Sequence, residues 1–379
     1  MRALPTRAVP LISWLVWSVL GCAPPPSVGL ATSGTQALGP SPPGASSDRK
    51  PDPKRARSEL YWGQRWCFDT GAPMSTPPAL GPAGEVYVAT HEGYVHALTS
   101  EGGFAWSYTV KGAVIGGPVV GAGGTVLVAT RLNLLYALRP DGSRLWVFHS
   151  PEPISSPLAV SERGTAVFVA KGRVVYAVSS RGGVLWRVPL GSEATTGPVI
   201  HENGSVFIGT KAGVETWVSP ARRELWPSPP VDGFVAGGAN EPGSQHWLAS
   251  GRLFSSNGAV TNALSLTFAR FTKQSVLAVT DSRLLELTPD GTERVQIDLE
   301  VAPSAPPVPG PERDTFVPLV DGSIARVHEW RRVESYAKLG FSPVASLVLD
   351  SARDRMLAGV GEGRVCAISL TRGAGSKAR

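Results

Sequence analysis

The stretch "GTVLVATRLNLLYALRPDGSRLW", residues 124–146, reads as three short strands: V-L-V-A, L-L-Y-A-L and R-L-W. A tight turn separates the first two, and Pro-Asp-Gly-Ser separates the second and third. Asp and Gly there supply turn geometry that β-branched residues resist. Three further segments of equal length align with it: "GEVYVATHEGYVHALTSEGGFAW" (84–106), "GTAVFVAKGRVVYAVSSRGGVLW" (164–186) and "GSVFIGTKAGVETWVSPARRELW" (204–226). Their closing tryptophans, Trp106, Trp146, Trp186 and Trp226, follow one another at intervals of 40 residues, and Trp66 lies 40 before the first. A period of this size marks a repeat architecture.

Each unit also has an opening strand of small residues: "STPPAL" (75–80), "GGPVVG" (116–121), "SSPLAV" (155–160) and "TTGPVI" (195–200). One unit is therefore four short strands, which is the blade of a β-propeller. The opening strand lies nearest the axis, where blades crowd, and Pro is tolerated there on an edge. The five tryptophans Trp66, Trp106, Trp146, Trp186 and Trp226 are expected to pack between neighbouring blades as structural residues. Beyond residue 230 the pattern weakens but continues. Segment 243–264 is a poor fifth unit, 273–297 a good sixth and 314–336 a seventh, while 342–370 supplies only three strands of an eighth. The missing outer strand is available at the other end of the chain in "QRWCFDT" (64–70), with Trp66 in phase. The expected fold is all-β, an eight-bladed propeller closed by pairing this N-terminal strand with the C-terminal blade. Seven blades is the alternative if the fifth unit is not a blade.

The unit "SPLAV…GxVFVA…YAV…GGxLW" resembles the PQQ-like β-propeller repeat, strongly over 75–226 and weakly over 230–335. That family includes quinoprotein dehydrogenases. It also includes non-enzymatic lipoproteins, such as the propeller subunit of the outer-membrane β-barrel assembly machinery. The resemblance specifies a fold, while function resides in sites placed on it.

The ends of the chain supply context. "MRALPTRAVPLISWLVWSVLGC" has Arg2 and Arg7 ahead of an apolar stretch from Ala8 to Gly21. About 14 apolar residues suit a signal peptide rather than a membrane span. The stretch ends in Val19-Leu20-Gly21-Cys22, which resembles a bacterial lipobox and implies lipidation of Cys22. Ala23 after the Cys resembles an outer-membrane sorting signal. Residues 23–58 are rich in Pro, Ser and Gly and too poor in large apolar residues to form a core, so they read as a tether. Its r.m.s. reach is roughly 30–35 Å. The expected organisation is a signal peptide over 1–21, lipidated Cys22 with its tether to 58, a propeller over 59–372 and a short tail over 373–379.

The chain of 379 residues carries a net charge of +6, spread along its length, with 43 Gly, 34 Pro and only 17% charged residues. A nucleic-acid partner is not indicated. A quinoprotein dehydrogenase needs Asp, Glu and Asn oxygens around Ca²⁺ and Arg groups on the quinone carboxylates. The acids here are scattered, and Asp141, Asp290 and Asp321 each stand beside a turn Gly. The six histidines show no zinc-ligand spacing, and no Walker loop or nucleophile elbow occurs. No cofactor, metal or catalytic residue is expected, and the protein reads as a non-enzyme. His96 occupies the position of Tyr136 and Tyr176 and reads as a strand packing residue.

The loops joining the second and third strands of blades two to four carry Arg131, Lys171, Arg173 and Lys211 with no acid among them. They form a candidate partner-binding patch for an acidic surface. The expected function is a lipid-anchored, periplasm-facing outer-membrane scaffold, a monomer or complex subunit that binds envelope proteins, with protein assembly as the role the resemblance implies. A quinoprotein-like oxidoreductase or a glycan-binding module is the alternative function. A secreted or cell-surface protein is the alternative location.

The two remaining cysteines follow from register. Tyr136 and Val147 flank the 140–143 turn symmetrically and should face each other. "VCAI" aligns with "LYAL", and "RWCF" aligns with "LWVF". Cys366 and Cys67 are thus expected opposite one another across the closing strand pair. There an oxidising compartment would join them.

Overall fold

The computed structural model describes residues 64–370 except 75–76, 201–203, 220–221, 236–245, 256–257, 260–264, 273–274, 340–343 and 361–362. The signal segment, Cys22 and the tether lie outside the described residues. Eight four-stranded antiparallel sheets form the fold. Blade 1 runs from Ala79–Leu80 to Phe104–Thr109, blade 2 from Val114–Val120 to Arg144–His149, blade 3 from Ala159–Val160 to Val184–Pro189 and blade 4 from Ala194–Ile200 to Arg222–Pro227. Blade 5 runs from Val231–Val235 to Gly258–Ala259, blade 6 from Phe268–Phe271 to Glu293–Asp298 and blade 7 from Val308–Pro309 to Arg332–Lys338. Blade 8 combines Val344–Asp350, Arg355–Val360 and Arg364–Ser369 with Gln64–Asp69 as its outer strand.

The second and third strands are apolar on both sides because each blade is sandwiched between two others. Val126–Thr130 and Leu134–Leu138, for example, are buried at every position. Outer strands alternate instead, as in Val184–Pro189, because one side meets solvent. Eight apolar clusters fill the eight seams between consecutive blades. The last cluster in the circuit joins Phe68, Val365 and Ala367 of blade 8 to Val86, Val88 and Leu98 of blade 1, so the ring is closed. Fully burying one such side chain contributes roughly 1.5–3 kcal/mol. Inner strands of neighbouring blades touch one another, as in blades 1 and 2 or 4 and 5, which puts them nearest the axis.

The tryptophans lock the seams. Trp106 donates its indole N–H to the Pro140 carbonyl at 2.8 Å, and Trp146 does the same to Ser180 at 2.8 Å. Each thus caps the turn before the outer strand of the next blade. The turn glycines have no room for a side chain. Gly142, at φ 85°, would place a Cβ 2.7 Å from the Trp106 ring, and Gly102, at φ 80°, would place one 2.3 Å from Trp66. Trp186 packs against the seam of blades 3 and 4, and Trp226 stacks on Trp247 of blade 5 at 5.9 Å.

The closing strand has the expected register. Tyr136 faces Val147, and Cys67 faces Cys366. The two sulfurs are bonded, with Cα atoms 4.1 Å apart and a sequence separation of 299. Blade 5 differs from the sequence pattern. Its inner strand, Val231–Val235, precedes the 243–264 unit, and its outer strand, Gly258–Ala259, has two residues. Its short third strand, Arg252–Ser255, brings the outer strand in at 258 rather than 262, out of phase with the 40-residue repeat.

Candidate functional site

In a four-stranded blade the turns between the second and third strands emerge on the same face as the connections between blades. A repeated backbone hydrogen bond ties the two sets of loops together. The N–H groups of His91, Arg131, Lys171 and Lys211 donate to the carbonyls of Pro73, Ala113, Pro153 and Glu193, at 3.1, 2.9, 2.8 and 2.9 Å. Donors and acceptors each advance by 40 residues, so these four positions are equivalent on successive blades. The fold thereby brings Arg131, Lys171 and Lys211 to one face in one orientation of the backbone, with Arg173 two residues beyond Lys171. All four side chains are exposed. Asn133 and Lys171, at φ 63° and 50°, take the left-handed conformation that these three-residue turns demand.

Acids do reach this face, contrary to what the turns alone suggest. They arrive from the connections between blades. Glu193 accepts an ion pair from Lys211 at 2.7 Å, and the Lys211 partner, aided by Arg173, holds its carboxyl below the usual range. Glu152 pairs with Arg187 at 2.8 Å and accepts the Tyr176 hydroxyl at 2.9 Å, while Arg187 lies over the Tyr176 ring. Lys211 is therefore partly spoken for. Arg131 and Lys171 make no ion pair among the described residues, and exposed Lys111 lies on the same face. The patch remains basic, centred on blades 2 and 3 rather than spread evenly to blade 4.

The opposite face has a cleft of about 410 Å³ between blades 7 and 8, lined by Glu312, Asp314, Arg326 and Asp354 among others. Three of these four charges, Asp314, Arg326 and Asp354, are engaged in ion pairs. Buried Asp314 is held by Arg326 at 2.6 Å and by Nδ1 of His328 at 2.7 Å, and Asp354 meets Arg65 at 3.2 Å. These pairs brace blades 7 and 8, each within its own sheet. Among the described residues no group of three His, Cys, Asp or Glu side chains could share a metal ion.

The equivalent positions His96, Tyr136, Tyr176, Glu215 and Cys366 point toward the preceding blade. Tyr136 accepts a hydrogen bond from the Lys111 N–H at 3.1 Å, and buried Glu215 accepts from those of Gly191 and Ser192 at 2.9 and 3.0 Å. This position therefore pins the loops of the basic face. At the 40-residue period the residue in register with Tyr136 and Tyr176 is Thr216; the two-residue turn at 211–212 moves Glu215 into the position instead, so the repeat alignment carries no signal for it.

Comparison with a family model described as "Outer membrane protein assembly factor BamB" matches residues 56–264, more than half of the chain. No curated protein matches the sequence. Among solved structures, BamB from Moraxella catarrhalis has a TM-score of 0.62 at 16% identity, covering 81% of this chain and 99% of that one. Sqt1 of Saccharomyces cerevisiae has a TM-score of 0.68 at 12% identity, covering 82% and 100%. A streptogramin B lyase has a TM-score of 0.54 at 12% identity, covering 82% and 99%. At these identities the structures show a shared fold alone. The family model carries the assignment, and by it this chain belongs to the PQQ-like propeller family of the outer membrane protein assembly factor BamB.

Proposed function

We propose that this protein is an extracytoplasmic scaffold, anchored to the outer membrane by lipid on Cys22, which docks an envelope protein on the basic face of blades 2 to 4. The observation that carries the reading is the repeated loop geometry. It presents Arg131, Lys171 and Lys211 from equivalent backbone positions, each braced by the neighbouring connection. A rigid basic surface of this kind suits an acidic protein partner, whose encounter it accelerates and orients. Membership in a family described by outer membrane protein assembly supports placing that partner in the envelope.

Crosslinking in the native envelope, followed by identification of the captured protein, tests the reading. Reversal of Arg131, Lys171 and Arg173 to Glu is expected to reduce capture at least tenfold and to leave the melting temperature unchanged, since all three are exposed. Lys211→Glu alone should weaken capture less and cost some stability, because it sets two carboxylates against each other at Glu193. Capture unaffected by the triple reversal would remove the patch from the interface. Anchoring is tested separately. Cys22→Ala is expected to leave an uncleaved precursor without a diacylglyceryl group, read by mass spectrometry of the envelope fraction. Normal processing of that variant would refute the anchor and leave the docking face untouched.

A further inference from the structure

The seam between blades 8 and 1 brings the two ends of the propeller chain together. Cys67 turns toward blade 7, while the next residue, Phe68, turns toward blade 1. What Phe68 meets there is His96. The ring centroids are 5.9 Å apart, with Phe104 at 6.5 Å and Tyr94 stacked at 6.1 Å from the same imidazole. His96 is 2% exposed, and among the described residues neither ring nitrogen reaches hydrogen-bond geometry, the Thr70 backbone being the polar group nearest to doing so. Equivalent residues on the next three blades behave differently, since Tyr136, Tyr176 and Glu215 all bond to the loop below them. Burial without a hydrogen-bond partner favours the neutral imidazole over the charged one.

The ionisable groups around it offer no countercharge. At the same seam, Arg355 is bonded to Asp350 at 2.9 Å, and Arg353 lies 3.6 Å from that same carboxylate. Two influences act on the proton affinity of His96: burial, which lowers it, and the backbone of Thr70, which opposes that. Burial prevails, and the pKa falls from 6.5 to about 4.

We propose that His96 is an acid-sensitive latch on the closure of the ring. Its protonation expels the imidazole from the Phe68–Phe104 cage and opens the seam between blades 8 and 1. The Cys67–Cys366 bond meanwhile keeps the strand Gln64–Asp69 on blade 8. The ring thus parts between blades rather than within the closing blade.

The neutral form is the one the fold holds. Its contribution is complete above about pH 6.5, declines as pH falls toward 4, and is constant below that. Across this window the latch should shift the opening equilibrium on the order of 100-fold. The test uses the full-length protein. Guanidinium unfolding is measured from pH 7.5 to 4.5 for the wild type and His96→Leu. Hydrogen exchange, corrected for its intrinsic pH dependence, is followed in residues 64–69 and 94–98. The wild type should lose stability across this range more steeply than H96L by that factor, with exchange rising first at the seam. Parallel pH slopes, or first opening at another blade, would overturn the proposal. If H96L fails to fold, the wild-type titration of His96 by NMR decides: a pKa of 6.5 or above overturns it, and one well below 6.5 sustains it.

Discussion

Reduction of the Cys67–Cys366 bond is expected to lower the unfolding free energy by several kcal/mol and to make the blade 8 outer strand the first element lost. The bond joins positions 299 residues apart. The chain-entropy estimate for a loop that long is on the order of 5 kcal/mol, an upper figure, since measured gains are often smaller. Packing around the bond is modest by comparison. Cys366 is buried among Ile324, Ala358 and Ile368, and Cys67 is half-buried, so alanine at both positions removes little apolar contact. The loss should therefore be nearly the same for reduced wild type and for the double variant Cys67→Ala/Cys366→Ala. The measurement is guanidinium unfolding of the oxidised, reduced and double-variant proteins, with exchange at 64–69 as the local readout. Coincident oxidised and reduced midpoints would mean that strand pairing and the Phe68 contacts hold the ring without the tie.

Most of the architecture can be read from the chain because a propeller writes its geometry at a fixed period. Forty residues between tryptophans specify the blade. A four-residue turn specifies that Tyr136 faces Val147, and the same arithmetic, carried to the two ends of the chain, places Cys67 against Cys366. The period fails in blade 5, where a four-residue third strand and a two-residue outer strand shorten the unit and break the phase. The proposed docking face is only half legible. Arg131, Lys171 and Lys211 share a repeat position, so their co-location follows from sequence. Glu152 and Glu193 come from connections whose side chains no repeat constrains, and their pairing with Arg187 and Lys211 depends on how two blades sit together. The contents of the seams are hidden for the same reason. His96 is visible as a substitution for Tyr, but its lack of a partner is a property of Phe68, which reaches it from the other end of the chain.

Arg355→Ala is expected to destabilise the protein by about 3–5 kcal/mol, as when one partner is removed from a buried ion pair. Arg355 opens the strand Arg355–Val360 of blade 8. In the structure Arg355 is 2% exposed and crosses the same seam that His96 latches. Its Nε donates to Asp350 at 2.9 Å, one terminal nitrogen donates to the Gly84 carbonyl at 2.7 Å, and the other donates to the carbonyl of Ser100. One side chain on blade 8 thus satisfies two turn carbonyls of blade 1, contacts that span 271 and 255 residues. Removing it leaves the buried carboxylate of Asp350 with only Arg353 at 3.6 Å and orphans both carbonyls. Arg353 keeps the loss toward the lower end of the range. Replacing both partners, as in Arg355→Leu/Asp350→Leu, should recover a good part of the stability, because no charge is then stranded. The carbonyls of Gly84 and Ser100 should still leave the double variant below wild type. The full cycle of two single variants and the double, measured by guanidinium unfolding at pH 7.5, checks this. Additive losses would show that Arg355 acts through its carbonyl bonds alone and that the pair with Asp350 contributes nothing to closing the ring.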